Sequence, residues 1–159
     1  MIDLPVHQGW LAKARREITS VRDGWLAVRI AAWCCVLRVL KHVMPLPRLV
    51  TLVRKSGSAR QRDARQEQRI VTLARWGSRL TQWSSDGDCF ERALVTYRYL
   101  TAMNADPVFV VGLAPATAGR IQGHAWVVLD GVPLHDTKAA LAEFEVMVSF
   151  GADGLPVAY

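Results

Sequence analysis

Three residues in the second half of this 159-residue chain have types that can do chemistry together: Cys89, His124 and Asp136. A cysteine thiolate is a strong nucleophile, and a neighbouring histidine can take and return its proton. A carboxylate can then fix the imidazole tautomer and stabilise its charged form. Taken singly, each has a plainer reading. A free cysteine is often a core residue. A strand histidine is often satisfied by a neighbour, and an aspartate at a strand end is often a turn former. Their order and local setting instead point to thiol acyl chemistry, with Cys89 as nucleophile, His124 as acid and base, and Asp136 as the group that orients His124.

The element that must present Cys89 is a helix start. Asp88 is a good N-cap residue, and Glu91 falls three positions later, the spacing of a capping box. Apolar or semi-apolar side chains then recur at Phe90, Ala93, Leu94, Tyr97 and Leu100, close to a helical period. A thiol on the first helical residue sits beside free amides and the positive end of the dipole, which favours thiolate. The same amides can receive an oxyanion. Asp88 and Glu91 oppose thiolate formation, so a charged histidine partner is required.

His124 lies in an alternating apolar run that ends at Asp130-Gly131, a strong hairpin signal. On such a strand His124, Trp126 and Val128 share one face, and Ala125, Val127 and Leu129 share the other. The loop length decides where Asp136 goes. A two-residue loop pairs Leu129 with Val132 and turns Asp136 to the face opposite His124. A three-residue loop pairs Val128 with Val132 and His124 with Asp136, with Gly131 at positive φ. If the three residues act together, period-two alternation predicts the odd loop.

Cys89 at a helix start, the His124-Ala125-Trp126 strand and Asp136 twelve residues after His124 resemble the transglutaminase-like cysteine peptidases of lasso peptide biosynthesis. These are the leader peptidases in their free-standing form, without a fused precursor-recognition domain. The similarity runs from Cys89 to about Phe150, and more loosely into the helical half; the strand at 107–113 fits it too. Two positions depart from the family pattern. Phe90-Glu91-Arg92 stands where Leu-Pro-Arg or similar is usual, and Val128 stands where Glu is usual. The resemblance implies a papain/transglutaminase-like core, a ribosomally made precursor peptide as substrate, a separate leader-binding recognition protein, and a macrolactam-forming cyclase downstream. Two further readings remain: an acyl transferase using the same three residues, and a non-catalytic peptide-binding scaffold.

The rest of the chain is read as one domain over 1–159, a helical half (1–83) and a catalytic half (84–159). Hydrophobic residues make up 51% of the chain, so it can bury a core. Residues 1–86 carry sixteen Lys+Arg against six Asp+Glu, a net of +10; residues 87–159 carry four against eight, a net of −4. The basic half suits an anionic partner or is a solvated basic face. Helical periodicity predicts helices at 7–20, with Trp10, Leu11, Ala14 and Ile18 on one side, and at 21–43, then a short one at 46–55 and another at 67–83. The 21–43 segment is broken by Arg29, Arg38 and Lys41, too charged for a membrane span, so membrane contact is not expected. Residues 56–65 read as a polar linker without nucleic-acid signatures. Residues 84–87 are a loop to the Asp88 cap. A strand is predicted at 108–113, a small-residue loop at 114–122, the hairpin, and a last strand at 144–150. Three cysteines, two adjacent at Cys34-Cys35, form neither a disulfide framework nor a zinc pattern. That composition, with no apparent signal peptide, predicts a cytoplasmic protein without metal or cofactor. The predicted class is α+β: helices, then the Cys89 helix against an antiparallel meander.

Overall fold

The structure, a computed structural model, describes residues 20–57, 62–80, 88–117 and 120–159. The helix expected at 7–20, save its last residue, residues 81–83 of the helix expected at 67–83, the loop at 84–87 and parts of the 56–65 and 114–122 segments lie outside the described residues.

The fold is α+β. The first described helix, α1 (Val21–Val43), opens on a capping box: Ser20 Oγ accepts the Asp23 N–H, and Asp23 accepts the Ser20 N–H. One face of α1 buries Ile30, Cys34 and Leu37; the other exposes Trp25, Val28, Val39 and Val43. Cys34 is buried, but Cys35 is exposed, because successive helix positions point about 100° apart. Pro45 ends α1 and leads into α2 (Leu46–Val53). Helix α3 (Ala64–Leu80) starts earlier than its apolar period, because Asp63 bonds the backbone N–H groups of Arg65 and Gln66. Residues 62–65 are therefore no linker: Arg62 pairs with Glu67 and reaches the hairpin tip at Asp130.

Helix α4 (Cys89–Thr101) is the central element. Ala93, Leu94, Val95, Tyr97 and Leu100 are all buried. Its far end is fixed by Tyr97, whose hydroxyl donates to the Gly151 carbonyl at 2.6 Å, and by Arg98, which stacks on Trp33 and donates to the Val53 carbonyl.

Four antiparallel strands, β1 (Pro107–Thr117), β2 (Arg120–Leu129), β3 (Val132–Pro133) and β4 (Glu145–Phe150), lie in the order β3-β2-β1-β4. The sheet is not the expected meander, since β4 crosses over to the free edge of β1. The segment expected as a loop at 114–122 is paired too: Ala114 lies opposite Gln122 and Thr117 opposite Arg120, with a bulge between. A short helix, α5 (Lys138–Leu141), capped by Thr137, was not predicted. The faces of β2 alternate as its sequence requires. Ala125, Val127 and Leu129 join the core with α4 and Phe109, while Trp126 and Val128 pack with Val110 and Leu141 on the opposite face.

The hairpin closes with two residues, not three. Leu129 pairs with Val132 and Val128 with Pro133, and both turn residues have positive φ, Asp130 at 51° and Gly131 at 76°. That is the turn whose twist matches its strands. Nothing lies within 4 Å of a Cβ built on Gly131, so a side chain there meets only backbone strain. Gly131→Val is expected to lower the unfolding free energy by about 1–2 kcal/mol in urea denaturation; an unchanged midpoint at unchanged slope would contradict this turn.

Candidate active site

Cys89 is the first residue of α4, as the sequence predicts, but the capping box is not made. Asp88 has φ −90° and ψ 14°, away from the extended conformation in which an N-cap side chain bonds the first-turn amides, and no side-chain cap bond forms. Asp88 turns to Arg92 instead, with Oδ1 3.6 Å from Nη1. Glu91, only 2% exposed, turns the other way and meets two cations of α1: Lys41 Nζ at 2.8 Å and Arg38 Nε at 3.7 Å. Both acids that oppose a Cys89 thiolate thus face cations. The first-turn amides of α4 are left without a side-chain cap, beside the sulfur.

His124 reaches Cys89 from β2. Cys89, His124 and Ala125 line one cleft, and hydrogen bonding from the His124 ring and the Ala125 backbone acts to lower the thiol's pKa. The ring is set by its neighbours on its own face. It stacks on Trp126 with centroids 5.9 Å apart and lies 5.0 Å from the Phe144 ring. Gly112, opposite His124 on β1, keeps that arrangement open, since a Cβ there would stand 2.9 Å from the Trp126 ring.

Asp136 also reaches His124, by a route that period-two alternation does not contain. Its Oδ2 lies 3.4 Å from His124 Nε2. This leaves Nδ1 as the ring nitrogen for the sulfur. An even turn with a continued strand would have put Asp136 on the other face. The strand does not continue: β3 ends at Pro133, which has no N–H to donate. Leu134 makes one more bond, to the Val127 carbonyl, and the chain then bends. Leu134 packs into the core with α4, and His135 turns to α4 as well, so alternation slips by one residue and Asp136 returns to the His124 side.

The residue that fixes this slip, His135, was missed from sequence. Its Nε2 is 2.9 Å from Thr96 Oγ1. The Thr96 hydroxyl already donates to the Arg92 carbonyl, so it accepts here and His135 carries its proton on Nε2. Burial, with the charges of Arg92 and Arg75, pushes His135 down to about 4, so it is neutral at physiological pH. The Val-Pro pair just before it was the available signal that the strand stops.

The three groups titrate together. Burial pushes the Cys89 thiol up, but the hydrogen bonds from His124 and Ala125 and the charges of His124 and Arg92 outweigh it and bring it below its ordinary value. Burial likewise works to raise Asp136, and is overcome by His124 and Arg92. The bond to Asp136, then that to Cys89, raise His124 to about 9. The arrangement shifts the pair toward a thiolate beside an imidazolium, the form that attacks an acyl carbon and carries the proton for its leaving group. A cleft of about 350 Å³ opens at Cys89, lined also by Lys41, His42, Phe90, Val111 and Gly123. Among the described residues no group of three or more His, Cys, Asp or Glu is placed to hold a metal ion, and no helix is long and apolar enough to cross a membrane.

A family model described as the transglutaminase-like superfamily matches residues 27–149, which span α1 to β4 and include Cys89, His124 and Asp136. No curated protein and no solved structure matches the chain.

Because Asp136 stabilises the charged imidazole, removing its charge must lower the His124 pKa. The His124 ring protons should titrate by NMR near pH 9 in the wild type and markedly lower in Asp136→Asn. Equal midpoints would show that the two side chains do not interact in solution.

Proposed function

This chain belongs to the transglutaminase-like superfamily, and we propose that it is a cytoplasmic cysteine peptidase that removes the leader from a ribosomally made, lasso-type precursor peptide. The observation that carries the reading is the position of His124, which lines one cleft with Cys89 and lies 3.4 Å from Asp136. The superfamily match supports thiol acyl chemistry. The resemblance of the Cys89, His124-Ala125-Trp126 and Asp136 pattern to the leader peptidases supports the substrate.

In this mechanism the Cys89 thiolate attacks the scissile carbonyl carbon. The oxyanion points to the uncapped amides at the start of α4, where the helix dipole also favours negative charge. His124 gives its proton to the departing amine as the carbon–nitrogen bond breaks, leaving a thioester on Cys89. Neutral His124 then takes a proton from water, which attacks the thioester and releases the product as a carboxylic acid that ionises in solvent. The proton ends on His124, and Cys89 leaves as thiolate, restoring the starting pair. Asp136 holds the ring through both halves.

A small leader-binding protein delivers the precursor, and the new amino terminus passes to a separate macrolactam-forming cyclase. The same three residues can instead hand the acyl group to an amine, the transfer that the superfamily name describes. Product masses with and without added amine separate the two.

Mass spectrometry of precursor incubated with this protein and the delivery protein is expected to show cleavage that Cys89→Ala abolishes; undiminished cleavage by that variant would sink the assignment. Turnover should be slow without the delivery protein, which supplies affinity in trans. It should also fall above pH about 9, where His124 loses the proton that the leaving amine needs.

A further inference from the structure

We propose that Arg92, one helical turn beyond Cys89, is a positioning residue for this site: it holds Asp136 so that one carboxylate oxygen faces His124. This rests on the reading of Cys89, His124 and Asp136 as the reacting group.

The two oxygens of Asp136 are divided. Oδ2 lies 3.4 Å from His124 Nε2, and Oδ1 lies 3.9 Å from Arg92 Nη2. A carboxylate drawn to a cation at each oxygen is held against turning away from the imidazole. The other prong of the same guanidinium, Nη1, lies 3.6 Å from Asp88 Oδ1. Arg92 therefore faces two carboxylates with one guanidinium, one preceding the nucleophile and one orienting the histidine. Its side chain is only 18% exposed, so water screens these charges weakly.

Arg92 also holds the Asp136 segment through its backbone. Its carbonyl accepts the Thr96 hydroxyl, and Thr96 accepts from His135, the residue before Asp136. One turn of α4 thus grips the bend that brings Asp136 round, by the side chain at Asp136 and through Thr96 at His135. The other charged groups nearby are engaged elsewhere or are the site itself. From α4, Glu91 faces Lys41 and Arg38 of α1; from α3, Arg75 acts on His135; from β2 there is His124. The positive charge of Arg92 also acts to lower both Cys89 and Asp136.

The test reads Cys89 directly and needs no peptide. The full chain is alkylated with iodoacetamide over a range of pH, and the Cys89 adduct is quantified by site-resolved mass spectrometry, with thermal melts to confirm folding. Arg92→Gln is expected to raise the pH midpoint of Cys89 alkylation by roughly one pH unit and to slow the reaction at neutral pH several-fold. Arg92→Lys, which keeps the charge, should lie closer to wild type. The double variant Asp88→Asn, Arg92→Gln also removes one of the two carboxylates that Arg92 faces. It should recover part of the shift, and it is the variant to read if the single one does not fold. A midpoint equal to wild type in a folded Arg92→Gln variant, or a double-variant midpoint equal to that of Asp88→Asn alone, overturns the proposal. Precursor cleavage separates this from the peptidase reading. If the midpoint moves but wild-type protein cuts no precursor, the positioning role stands and the peptidase reading fails. If wild type cuts and Arg92→Gln alkylates and cuts as wild type does, the reverse holds.

Discussion

The charge on the His124 ring is the feature on which the rest of the site depends. Neither a thiolate nor a carboxylate is comfortable half-buried, and burial alone pushes both Cys89 and Asp136 toward their neutral forms. An imidazolium between them reverses that for both at once, and they in turn raise His124 to about 9. The three states support one another: removing any one charge weakens the others. Such a group must be held by parts that do not themselves relax, and the fold supplies them from distant segments. The nucleophile comes from the most buried helix, the histidine from a strand flanked on both sides, and the carboxylate from a bend tied back to that helix through Thr96.

The helical half has a part in this chemistry. Glu91, buried one residue after Phe90, would be an uncompensated charge two positions from the nucleophile if α1 did not bring Lys41 and Arg38 to it. Breaking such a pair by losing one partner is costly, because the remaining charge stays buried. Part of the basic excess of the N-terminal half is thus spent inside the protein, on the acids of the catalytic half, while Lys41 and His42 also border the cleft at Cys89.

What could be read from sequence followed the reach of each rule. The Cys89 helix, the two faces of β2 and the Asp130-Gly131 turn with positive φ were legible, because helical and strand periods and turn chemistry are local. The loop length was misread by demanding that Asp136 meet His124 along an unbroken strand. The real hairpin is even, and the pairing is recovered only because β3 stops at Pro133 and His135 anchors a bend on Thr96, a residue 39 positions away. The capping box failed for the same kind of reason. Asp88-x-x-Glu91 has the right spacing, but Glu91 finds cations on α1 that no local window contains. The crossing of β4 to the far edge of β1 is likewise a non-local choice that composition does not mark.

Site-resolved labelling of the native protein with iodoacetamide at neutral pH tests the thiolate directly, because the three cysteines occupy different settings. Cys35 is exposed, Cys34 is buried and pushed up to about 12, and Cys89 is partly buried beside His124. If accessibility alone governed the reaction, Cys35 would label first. The account predicts that Cys89 labels first despite its burial, and that His124→Ala removes that lead. Cys35 labelling ahead of Cys89 in the wild type would contradict it.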